Sequence, residues 1–272
     1  MKGNPASLHY KSIFYALFII DLPSNIEILM KTLPDPAVLI SKLDLGNPLI
    51  GLYDAPAALS FEPIIEMKAG IRTCLFQHYR NWMSGKTLKI TKTNFGCGGC
   101  GHWLWNLETR SRKEYIYFLA DEEGLKASHE LMGAWLDHQK PYVPEHDTLF
   151  IGPLKGEHDA YLKTVTFFVN PDQLSVLITG ATYFSMPGDP AAVQVNFGSG
   201  CMELITLFPD LDKPLAIIGA TDFAMRPYIP KDILAFTVTK PMFGLLCSLD
   251  TKSFLFRPFL ERLKKARNDR LG

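Results

Sequence analysis

Thr91 to Cys100 reads T-K-T-N-F-G-C-G-G-C, and Val193 to Cys201 reads V-Q-V-N-F-G-S-G-C. In both stretches a short run of strand-like alternation meets Asn-Phe-Gly, then a glycine turn, a cysteine and a segment that opens a helix. The matching elements extend outward. The apolar strand Pro48 to Tyr53 and a helix read over Pro63 to Met83 precede the first turn, whose own strand is Thr87 to Thr93. A strand at Thr164 to Val169 and a helix over Asp172 to Tyr183 precede the second, whose own strand is Val193 to Phe197. Two copies of a strand–helix–strand–glycine turn–helix unit are therefore expected.

Further strands are read at Glu114 to Ala120, Leu149 to Leu154, Leu215 to Gly219 and Ile233 to Thr239. An amphipathic helix is read over Glu122 to His138, and two helices close the chain. Strands alternating with helices predict an α/β protein, with mixed α+β as the other possibility, built as two similar halves in one two-lobed unit. The halves are drawn at residues 35–145 and 146–272, divided near the two prolines of Lys140 to Asp147. Residues 1–34 form an N-terminal extension, helical or loosely attached. Within it Ile13 to Ile20 follows Lys2 and Lys11 as the apolar core of a secretion signal would, but Asp21, Leu22 and Pro23 offer no small-residue cleavage site, so it is read as helix. The regular pattern starts near Met30, which makes that methionine an alternative start. Residues 24 to 45 read as helix broken around Pro34 and Pro36.

The chain has 272 residues, 47% hydrophobic and 21% charged, enough for a sizeable core. Lys plus Arg and Asp plus Glu are 28 each, so the chain lacks the basic excess of a nucleic-acid binder. The one basic run, Arg262 to Arg270, reads as a solvated helix face. No apolar run is long enough to span a bilayer. Five cysteines, Cys74, Cys97, Cys100, Cys201 and Cys247, are an odd number spread over a long chain, which is no disulfide framework. A reducing cytoplasm is the expected location, with neither nucleic acid nor membrane as partner.

If the halves pack about a pseudo-two-fold axis, both glycine turns face one cleft, and Cys97, Cys100 and Cys201 meet there at helix N-termini. Unpaired amides and the helix dipole favour negative charge at such positions, which suits a thiolate.

A longer series of short motifs resembles the family catalogued as domain of unknown function 169. It comprises Pro48-Leu49-Ile50-Gly51-Leu52-Tyr53, the lone Cys74, Phe95-Gly96-Cys97-Gly98-Gly99 and Gly200-Cys201. It continues with Thr221-Asp222-Phe223-Ala224-Met225-Arg226, the run Asp232 to Val238, and Ser253-Phe254-Leu255. The series runs in order from about residue 35 to about residue 265. The resemblance brings no activity with it. It implies a set of positions, Cys74, Cys97, Cys201, Asp222 and Arg226, and implies that Cys100 is dispensable.

Three chemistries follow. In the first, Cys74, Cys97 and Cys201, with Cys100 as a fourth, hold an iron–sulfur cluster, or zinc, because soft thiolates select such centres. The alternative to any cofactor is that buried cysteines pack as small hydrophobes. In the second, Gly96, Gly98, Gly99, Gly198 and Gly200 offer amides to a small anionic ligand, with Arg226 adding a bidentate contact that Asp222 orients. In the third, Cys97-Gly98-Gly99-Cys100 runs thiol–disulfide exchange. His102, beside Trp103 and Trp105, reads as a packed histidine, and His146 and His158 lack metal-ligand partners at helical spacing. Substrate, reaction and oligomeric state are not encoded in any motif of the chain.

Overall fold

A computed structural model describes residues 33–67, 72–186 and 191–271. The expected helix at Ile13 to Ile20, and residues 24–32 of the expected broken helix, lie outside them. The strands are β1 (Ile50–Asp54), β2 (Ile64–Glu66), β3 (Thr87–Thr91), β4 (Thr148–Pro153), β5 (Leu162–Val169), β6 (Val193–Val195), β7 (Ala216–Gly219) and β8 (Leu234–Thr239). They form one eight-stranded sheet in the order β2-β3-β4-β1-β5-β8-β7-β6. The two outermost pairs, β2 with β3 and β6 with β7, are parallel, and every inner pair is antiparallel. The sheet is continuous through its middle, where Ile50 faces Thr166 and Leu52 faces Thr164 across β1 and β5. Fold class is thus mixed α+β.

Both faces of the sheet are covered, so its central strands are buried almost throughout. All five residues of β1 are buried. Alternation sends neighbours to opposite faces. Ile50, Leu52, Leu88, Ile90, Leu149, Ile151, Phe168 and Ala235 enter one core, and Tyr53, Phe150, Val165, Phe167, Phe236 and Val238 the other. The second core is closed by helices α1 (Ala37–Leu43), α6 (Pro171–Ala181), α7 (Lys240–Cys247) and α8 (Pro258–Leu271). The first is closed by α2 (Tyr79–Met83), α3 (Gly98–Trp105) and the short 3-10 turn Gly200–Leu204, with α4 (Arg112–Tyr117) and α5 (His129–His138) outside them. No helix among the described residues is long and apolar enough to cross a membrane. The basic run lies on α8, where Lys264 pairs with Asp44 and Arg267 with Asp172.

Four local expectations are corrected. Glu114 to Ala120 is not a strand: Ser111 and Glu114 form a reciprocal capping box, so α4 starts at Arg112 and passes into a π turn over Phe118–Glu122. The two buried side chains, Tyr115 and Leu119, are four apart and share one helix face; the aromatic alternation only imitates a strand. Pro63 to Met83 is not one helix. Ile64 and Ile65 are β-branched and sit in edge strand β2, and helix begins with the 3-10 turn Leu75–His78. The helix read from Glu122 starts only at His129, after the Ser128 cap. Within the described part of 24–45, helix is limited to α1.

Residues 140–147 are clamped to the end of β1. The Asp54 side chain is fully buried and accepts hydrogen bonds from Tyr142 Oη (2.7 Å), Glu145 N (2.7 Å), His146 N (2.9 Å) and His146 Nδ1 (3.0 Å). Four donors converge on one buried carboxylate, so its removal leaves several part-buried donors without an acceptor at once. Asp54→Ala is predicted to lower unfolding free energy by about 3 kcal/mol in urea titrations, and a loss below about 1 kcal/mol would show the clamp to be incidental.

Candidate functional site

The site lies on the first face, where the two glycine turns meet. Gly96 has φ +95°, a conformation that glycine adopts freely, and a Cβ there would stand 2.7 Å from the Thr73 carbonyl oxygen. That close approach seats Thr73 against the turn and places Cys74 beside Cys97. Cys97 is the N-cap of α3 in extended conformation, and Cys100 lies one turn on. From the other side, Gly198 has φ +110°, and Ser199 Oγ lies 3.3 Å from where a Cβ of Gly99 would be. Cys201 follows in the 3-10 turn.

Cys74, Cys97, Cys100 and Cys201, from three separate segments, line one cavity of about 270 Å³, together with Gly98, Gly99, Gly198, Gly200 and Asp222. Cys97 Sγ lies 3.5 Å from Cys100 Sγ. Cys201 is the other thiol neighbour of Cys100. Cys100 and Cys201 are buried, whereas Cys74 and Cys97 are half-buried. Cys247 belongs to the other core.

The charged side chains on the cavity wall are Arg110, Glu123 and Asp222. The Arg110 guanidinium lies 4.0 Å from the centre of the Phe118 ring. All four thiols are shifted upward, toward the neutral form. Burial pushes Cys74 up to about 12. The hydrogen bond with Cys100, then burial, raises Cys97. Cys100 is raised by its bond with Cys201 together with burial. For Cys201 the bond with Cys100 acts downward, but burial and the neighbouring Cys97 and Cys74 raise it on balance. Backbone N–H groups of Gly99 and Cys100 act on the Cys97 sulfur, and that of Phe76 on Cys74, in the direction that favours thiolate. Among the described residues no group of three or more His, Cys, Asp or Glu side chains stands in a metal-holding arrangement.

Asp222 and Arg226 take different places. Asp222 Oδ2 accepts from Gly200 N (2.7 Å) and Oδ1 from Ala224 N (2.9 Å), so its carboxylate occupies an amide that an anionic ligand would need. Arg226 is not on the cavity wall. Its Nη1 donates to Ala220 O (3.3 Å) and Ile233 O (2.7 Å), and its Nη2 to Pro230 O (3.0 Å) and Lys231 O (2.9 Å). It pins the loop between β7 and β8. Gly96 supports the turn from behind. His102 packs against Trp103 and Tyr115.

Glu203 was not foreseen. Its side chain is completely buried behind Cys201, and Oε2 accepts from Asn196 Nδ2 (3.1 Å) and Ala220 N (2.8 Å). Burial pushes this carboxyl up to about 8. The bonds tie the second Asn-Phe-Gly turn to the end of β7, and room for them exists because residue 219 is glycine: a Cβ there would lie 2.3 Å from Glu203 Cδ. The one sequence signal is a lone acid within the apolar run Cys201-Met202-Glu203-Leu204-Ile205. Gly219→Ala is predicted to cost about 2 kcal/mol or more from overpacking, and much less in a Glu203→Ala background. Equal costs in the two backgrounds, measured by chemical denaturation, would contradict this packing.

No curated protein and no solved structure matches this chain. The family model described as "Uncharacterised ArCR, COG2043" matches residues 43–248, a span that holds both glycine turns and all five cysteines, and the chain accordingly belongs to that family, DUF169.

Proposed function

We propose that this protein binds a thiolate-ligated metal centre in the cavity between its glycine turns, an iron–sulfur cluster held by Cys74, Cys97 and Cys201 with Cys100 as the fourth ligand. The observation that carries the reading is that four cysteines from three separate segments of the chain line one small cavity. The surroundings favour a cation over an anion. Two carboxylates face one guanidinium on the wall, the Gly200 amide is occupied by Asp222, and Arg226 is engaged with carbonyls elsewhere. Amides directed at two of the sulfurs stabilise them as thiolates once a metal takes their protons. A space of about 270 Å³ exceeds what one ion needs, which favours a cluster or an ion with an open position for a small ligand.

A single zinc ion is the second reading, and the close cysteine pair favours it. Tetrahedral zinc with bonds of about 2.3 Å sets its sulfurs about 3.8 Å apart. The Cys97–Cys100 separation of 3.5 Å is near that edge. In either case the remaining thiols move inward on binding.

Protein purified without oxygen is predicted to show a broad charge-transfer absorption with iron and acid-labile sulfide, or, on the second reading, stoichiometric zinc without colour. Cys97→Ser is expected to reduce metal content at least fivefold while leaving the circular dichroism spectrum unchanged. Metal-free wild-type protein that also fails to take up iron with sulfide, or zinc, would end both readings.

A further inference from the structure

We propose that Cys97 and Cys100 form a reversible dithiol–disulfide couple whose reaction partner is a small-molecule disulfide, with Cys97 the attacking sulfur and Cys100 the resolving one. The proposal does not depend on the metal reading. It rests on the distance between the two sulfurs, the exposure of one of them and the two glycines between them.

Cys97 Sγ and Cys100 Sγ are already 3.5 Å apart, so closing the bond needs a side-chain rotation and a small shift of the turn. The two residues occupy the N-cap and the third position of α3, with Gly98 and Gly99 between them. A Cβ at Gly99 would be 3.7 Å from Cys97 Sγ and 3.3 Å from Ser199 Oγ. Glycine there keeps the approach to Cys97 open. Exposure decides the order of attack. Cys97 is half-buried at the cavity wall, whereas Cys100 is 1% exposed and Cys201 4%. Within the pair, an external disulfide therefore reaches Cys97 before Cys100.

The exchange balances without a further oxidant. The Cys97 sulfur, having given up its proton to solvent, attacks one sulfur of the disulfide RSSR. A Cys97–SR bond forms, and RS⁻ leaves and takes up a proton. Cys100 then loses its proton, attacks the Cys97 sulfur and expels the second RS⁻, which is protonated in turn. Two protein thiols are oxidised to one disulfide and RSSR is reduced to two RSH. Cys201 lines the same cavity, so a Cys100–Cys201 bond is the competing product, and the accessible Cys97 selects against it.

The full-length protein, stripped of metal, is equilibrated in mixtures of oxidised and reduced glutathione, acid-quenched, alkylated and mapped by peptide mass spectrometry. Expected is a Cys97–Cys100 disulfide that dithiothreitol reverses. Cys100→Ser is expected to accumulate the Cys97–glutathione mixed disulfide at least tenfold over wild type. Cys201→Ser and Cys74→Ser keep the couple, and circular dichroism verifies that each variant is folded. A Cys100–Cys201 disulfide, an unresolved mixed disulfide in wild type, or fully reduced thiols throughout would overturn the proposal. Because metal is absent from this experiment, a failed metal-binding test and a failed redox test are separate results.

Discussion

The antiparallel pairing of β1 with β5 is the constraint on which the remaining architecture depends. It joins the strands before residue 154 to those after residue 161 in one sheet, and with both faces then covered, most side chains of the central strands enter one core or the other. One face collects helices that pack as simple apolar lids. The other collects the two glycine turns, the 3-10 turn after Ser199 and four of the five cysteines. The cavity is thus not a gap between two lobes. It lies between the loops that cover one face of a continuous sheet.

Close packing at those loops is arranged by removing side chains and by burying acids. Glycine at 96 admits the Thr73 carbonyl, and glycine at 219 admits the Glu203 carboxyl. Glu203 joins Asn196 to Ala220, and Asp222 joins the Gly200 amide to its own loop through Ala224. A buried acid with few partners is costly unless it stays protonated, and the elevated Glu203 fits that requirement. The thiols are in the same position: packed together without a nearby cation other than Arg110, they remain neutral until something removes their protons. These are the properties on which the proposed positively charged, sulfur-seeking occupant would draw.

Much of this was legible in the sequence. The short alternating or apolar runs that became β1, β3, β5, β7 and β8 are bounded by strong turn residues, and the cysteine–glycine turns mark strand ends by composition alone. What remained hidden has physical reasons. Edge strand β2 is three residues long, too short for periodicity to separate it from a helix. Tyr115 and Leu119 satisfy helical and extended spacing alike until the Ser111–Glu114 box decides. Arg226 looks like a ligand group, but the carbonyls that engage it come from a loop whose path depends on tertiary structure. Glu203 is silent because its partners, Asn196 and Ala220, are brought to it only by the sheet. The Asn-Phe-Gly echo also has a different setting in each copy: one turn follows β3, inside the sheet, and the other follows β6 at its edge.

The convergence of cysteines on one centre is the claim on which the functional reading stands, and X-ray absorption at the edge of the bound metal tests it most directly. The expected result is a shell of three or four sulfur neighbours, at about 2.3 Å for zinc, that loses sulfur in Cys97→Ser and again in Cys201→Ser. A shell of nitrogen and oxygen, or a sulfur shell that neither substitution alters, would contradict it.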